Sequence, residues 1–162
     1  MPQYTSPEVV IQRQLDAYNA KDLDAWLSTY APDAKQFELG GKLLAEGHAQ
    51  IRARTASRFA EPNLYAQLIR REVFGDVVID HEDVTRTFPE GPGRIELVCV
   101  YVVEGGLIQS ASFALGPPTL FTVSSGSHSL LCRTCLGAQL SGCPAIHAAP
   151  ESQSSSQKST DT

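Results

Sequence analysis

The stretch Val9–Glu38, VVIQRQLDAYNAKDLDAWLSTYAPDAKQFE, decides the fold of this chain. It reads as two consecutive amphipathic helices followed by a strand. Ser6 supplies an N-cap, Pro7 a first helical position and Glu8 an acid for the first turn, so the first helix starts there. Ile11, Leu15 and Tyr18 recur at helical spacing and mark its buried stripe. Asn19-Ala20-Lys21 makes a turn and Asp22 caps the second helix. Leu23, Trp26, Leu27 and Tyr30 form the second stripe, which Pro32 ends.

Outward from this stretch the pattern changes to strands. A short strand is expected over about 35–39, a reversal at Gly40-Gly41, and a second short strand ending near Glu46. A third helix, His48 to Phe59, is built on Ile51, Thr55 and Phe59. Long strands follow over 64–74, 77–88, 94–103 and 107–115, separated by glycine-rich turns. Helices first and a meander of strands afterwards predict an α+β fold, with a curved antiparallel sheet packed against three N-terminal helices. Leu97–Val103 is apolar on both of its alternating faces. One face covers the helices, and the other calls for a second copy, so a homodimer is expected.

A chain of 162 residues corresponds to about one domain. Its net charge of -5 disfavours a nucleic-acid or membrane partner. The N-terminus has no basic and apolar leader, so a cytoplasmic protein is expected. Residues 1–118 read as the domain and 119–162 as an irregular, low-complexity tail expected to be disordered. Cys132, Cys135, Cys143 and His147 lie in that tail at spacings that match no defined zinc site, so no metal is assigned.

Ile11-Gln12-Arg13, Tyr18–Asp24, Tyr30–Ala34, Gly47–Ile51 and Val103–Ile108 together resemble the nuclear transport factor 2-like superfamily. The resemblance is to its SnoaL-like and ketosteroid-isomerase-like branch, over roughly the first 115 residues. It implies a cone of three helices on a bent sheet around an apolar pocket, commonly dimeric. It also implies an isomerase or cyclase that transfers a proton beside the carbonyl of a small apolar ligand, without a cofactor. In ketosteroid isomerases a tyrosine and a neutral aspartic acid stabilise the enolate while a second carboxylate moves the proton; that enzyme is a standard case of a carboxylic acid kept neutral. By position, the tyrosine corresponds here to Gln14, the shuttling carboxylate to Glu38 and the neutral acid to Cys99.

The residues themselves support a set of candidates. Gln14 sits on the buried stripe of the first helix, either as a core amide or as a donor facing the pocket. Tyr18, one turn later, can supply a phenol. Glu38 lies between Phe37 and Leu39, where an apolar wall would raise its pKa towards that of a general base. Asp80-His81-Glu82-Asp83 interrupts an otherwise β-rich strand. His81 and Asp83 share one face, and Asp80 and Glu82 the other. His81 is assigned to the pocket, and the acids to a solvated ladder with Arg70, Arg71 or Arg94. Trp26, Tyr30, Phe37, Cys99, Tyr101 and Phe113 are expected to line the ligand. Two other readings stay open: a non-catalytic binding or dimerisation module, and a hydratase or epoxide hydrolase using the 80–83 run.

Overall fold

The structure, a computed structural model, describes residues 5–122. Helix α1 (Pro7–Asn19) buries Val10, Ile11, Gln14 and Leu15, one continuous stripe. Helix α2 (Leu23–Ser28) is capped by Asp22, whose side chain accepts from the Ala25 N–H at 2.9 Å. It ends before Tyr30, which opens strand β1 (Tyr30–Glu38) instead of closing the helical stripe. Two effects stop the helix. Thr29 turns its hydroxyl back onto the Trp26 carbonyl at 2.7 Å, and its own carbonyl accepts from the Ile108 N–H at 2.9 Å, drawing the chain into the sheet. Pro32 disfavours helical backbone at the residue before it.

Strand β2 (Leu43–Glu46) and helix α3 (Gly47–Phe59) follow. The meander comprises β3 (Tyr65–Phe74), β4 (Val77–Phe88), β5 (Gly91–Glu104) and β6 (Leu107–Leu115), and β7 (Thr119–Leu120) pairs with β5. The main order is β2-β1-β6-β5-β4-β3, a curved sheet that does not close. The expected α+β architecture is therefore present, but the sheet is mixed rather than antiparallel. β1 runs parallel to β6, while the other pairings are antiparallel. The reason is topological: β1 pairs with its successor β2 along one edge, and along the other it lies beside β6, the last long strand of the meander, running in the same direction. The sheet also continues past Pro118, because Thr119 and Leu120 pair with Arg94 and Gly93. Cys132, Cys135, Cys143 and His147 lie outside the described residues. Among the described residues no helix is long and apolar enough to cross a membrane.

The helices cover one face of the sheet. Val10, Ile11, Trp26, Leu27, Ile51 and Phe59 pack there against Val78, Cys99, Tyr101, Val103, Ile108 and Ala111. Asn19, the last residue of α1, ties the helix to the sheet. Its side chain donates to the Ala66 carbonyl at 2.9 Å and accepts from the Ala66 N–H at 2.8 Å. Asn19→Ala leaves both backbone groups without that partner, so a loss of ~1–3 kcal/mol is expected in urea unfolding. A loss within error of zero would show that water replaces the clamp.

Candidate functional site

A cavity of about 280 Å³ opens between the helices and the inner sheet face. Helix α1 contributes Gln14 and Tyr18, α2 contributes Trp26, and α3 contributes Arg54, Thr55 and Arg58. The helix positions follow from periodicity: 14 and 18 are one turn apart, as are 54 and 58. From the sheet come Gln36, Glu82, Arg86, Cys99, Tyr101 and Phe113. Strand alternation explains these, since Glu82 and Arg86 share the face of the buried Val78 and Val84.

Among the described residues Glu82 is the only acid in the lining, and it is 5% exposed. Burial raises its carboxyl pKa from the ordinary 4.5 to about 7; the neighbouring Asp80 charge adds to the shift and Arg71 opposes it. Asp80 is fully buried beside it and does not line the cavity. Arg71 grips Asp80 with two bonds, Nε to Oδ1 and Nη2 to Oδ2, each 2.7 Å. Gln12 accepts from the same guanidinium at 2.9 Å. This buried fork balances the Asp80 charge next to Glu82.

The remaining polar lining is neutral or cationic. Burial holds the Tyr18 phenol well above its usual pKa, and does the same for the Cys99 thiol and the Tyr101 phenol. All three therefore carry protons at neutral pH and can act as donors. Gln36 accepts from Arg54 at 3.1 Å, and Arg54 also stands 5.8 Å from the centre of the Phe113 ring. Thr55 Oγ1, Arg58 Nη1, Arg86 Nε and Trp26 Nε1 are shut from solvent without a hydrogen-bond partner, and all four belong to lining residues. Buried donors of this kind are normally satisfied, so the wall is short of acceptors.

Of the residues singled out in the sequence, Gln14, Tyr18, Trp26, Cys99, Tyr101 and Phe113 share the lining of this cavity. The structure places the others elsewhere. Tyr30 is fully buried in the core, with its ring 4.7 Å from that of Trp26. Its hydroxyl has Gln14 and Gln36 as polar neighbours but closes no hydrogen bond. Phe37 is half-buried and outside the lining. Glu38 is not held in an apolar wall. It is exposed and pairs with Lys42 at 3.2 Å, because a register shift after Gln36 and the turn at Gly40-Gly41 carry the strand end away from the cavity. His81 faces the opposite side of the sheet, where it meets Glu96 at 3.1 Å. Asp83 shares that face and pairs with Arg94 at 3.2 Å. The cross-strand pairing expected for the acids is present for Asp83 with Arg94 and for Asp80 with Arg71, but Asp80 and Glu82 point inwards rather than to a solvated face. Sequence reasoning missed Glu82, Arg58 and Arg86. For Glu82 and Arg86 the available signal was their shared parity with Val84 on β4; Arg58 lies on α3, one turn beyond Arg54.

Against known proteins, the SnoaL-like domain model matches residues 11–111. No curated protein matches the chain. Among solved structures, an uncharacterised cystatin-fold protein from Novosphingobium aromaticivorans shares 28% identity with a TM-score of 0.62, covering 68% of this chain and 98% of that one. A protein with a ketosteroid isomerase-like fold from Catenulispora acidiphila, solved in complex with trimethylamine, shares 19% identity at TM-score 0.55, covering 68% and 86%. A computationally designed 17-OHP binder shares 18% identity at TM-score 0.58, covering 70% and 99%.

Proposed function

This chain belongs to the SnoaL-like domain family, and on that premise we propose that it is an isomerase- or cyclase-type enzyme moving a proton beside the carbonyl of a small, largely apolar ligand. The observation that carries the reading is Glu82: a carboxyl group in the cavity wall whose pKa lies at about 7. A base of that strength is well matched to abstracting a proton at neutral pH and returning it elsewhere. Gln14, Tyr18, Tyr101 and Cys99 supply donors for the oxygen on which charge develops. Glu82 thus takes the role first assigned to Glu38 or His81. A fold-mate designed to bind 17-OHP supports an apolar ligand for this architecture. The hydration reading has less support, because of the 80–83 run only Glu82 reaches the cavity.

The test is solvent-deuterium uptake at the α-carbon of 2-tetralone and of a β,γ-unsaturated steroid ketone, followed by NMR. The protein-dependent rate is expected to rise as pH increases through about 7 and then level off, because Glu82 must lose its proton to act. Exchange of both ketones no faster than in buffer alone would remove the reading.

A homodimer is part of the same proposal. The outer sheet face pairs Val77 with Val102, Ile79 with Val100 and His81 with Val98, so an apolar centre is edged by the polar pairs His81–Glu96 and Arg94–Asp83. Val100→Asp places a charge in that centre and is expected to yield a monomer in sedimentation equilibrium. A wild-type chain that is already monomeric at high micromolar concentration would contradict the dimer.

A further inference from the structure

We propose that the cavity takes a ligand bearing a single carboxylate, held by Arg58 and Arg86 at the end away from Glu82. This deepens the proton-transfer reading and rests on the same cavity.

The lining carries Arg54, Arg58 and Arg86 against one acid. Arg54 is already engaged by Gln36 and by the Phe113 ring. The other two are not fully engaged. The Arg86 guanidinium stacks 4.8 Å from the centre of the Phe88 ring, which fixes its position but leaves its buried Nε without an acceptor. Arg58 Nη1 lies 3.4 Å from Glu61 Oε1, close enough to share charge, yet it closes no hydrogen bond. Thr55, one helical turn before Arg58, has an equally unpartnered hydroxyl. Buried cationic donors lacking acceptors cost stability. They make sense where a ligand completes them, and guanidinium forks fit a carboxylate.

At the Arg58–Arg86 end Glu61 offsets one of the two arginines, so one positive charge remains there for a carboxylate, while Arg54 is turned to Gln36 and Phe113. Geometry separates the headgroup from the chemistry. Arg86 is four residues beyond Glu82 on the same face of β4, a backbone separation of about 13 Å. Tyr18 lines the same cavity and feels the charges of Arg58, Glu82 and Arg86. An apolar body carrying its carbonyl at one end and its carboxylate at the other spans this cavity.

The test uses calorimetric titration of 2-naphthylacetate and 2-naphthylacetamide, matched in shape and different in charge. The acid is expected to bind about tenfold tighter than the amide. Arg86→Gln and Arg58→Gln are each expected to erase most of that preference, and Arg86→Lys to keep part of it. If those variants do not fold, the wild-type comparison still decides: an acid that binds no tighter than the amide, including the case where neither binds, overturns the proposal. Tighter binding of 2-naphthyl phosphate than of the acetate overturns the assignment to a carboxylate. Glu82→Gln separates the two readings. It removes proton transfer but is expected to retain the preference for the acid, so loss of exchange with retained preference leaves the carboxylate site standing.

Discussion

Glu82→Gln is expected to slow α-proton exchange about a thousandfold and, at the same time, to make the protein more stable above pH 7. The first effect follows from removing the only carboxyl that the described residues place in the cavity wall. The second follows from its raised pKa. The folded chain binds the Glu82 proton up to about pH 7, whereas the unfolded chain releases it near 4.5. The group's contribution is therefore fully present below about pH 4.5 and is lost as pH rises through about 7. Above that, a carboxylate is held in the wall at a cost of ~3 kcal/mol, an upper figure because the cavity admits water. Glutamine keeps the shape and carries no charge. Its melting temperature should exceed the wild type's by roughly 5–10 °C at pH 8, and by little at pH 4.5. Paired thermal melts at the two pH values check this. A glutamine variant that is active, or equally stabilised at both, would mean that Glu82 is not the buried base. The combination is what a functional site that costs stability should show.

Breaking the Arg71–Asp80 fork should have the largest destabilising effect in the molecule. The two side chains are 7% and 0% exposed. Arg71→Ala leaves the Asp80 carboxylate buried without its cation, and a loss of ~3–5 kcal/mol is expected in chemical unfolding. The double variant Arg71→Met, Asp80→Leu should recover much of that loss, because it leaves no charge behind. The pair also sets the base beside it. Asp80 raises the Glu82 pKa and Arg71 lowers it. Asp80→Asn should therefore shift the exchange profile to lower pH, and Arg71→Met, where it folds, to higher pH. A profile that does not move in either variant would show that the fork is structural only.

Much of the architecture was legible in the chain. The α1 stripe, the Asp22 cap, the third helix on Ile51, Thr55 and Phe59, and the long strands with their glycine turns are all local patterns. So was the aromatic and amide part of the cavity, because Gln14 and Tyr18 inherit their direction from helical spacing. The parallel pairing of β1 with β6 was not legible, since partner choice between distant strands leaves no mark on either one. The base was not legible either. In β4, Val77 and Ile79 lie on one face and Val78 and Val84 on the other, so both frames look buried from the sequence.

Sequence alone thus determined most of the helices and strands, though not that Tyr30 opens β1, and that a polar run would interrupt β4. Only the tertiary structure decided that Glu82 rather than His81 faces the cavity. A strand with two apolar faces has no preferred side by itself. The helix layer covering one face, and the register with β3 and β5, set which alternate residues lose their water and so which carboxyl becomes a base.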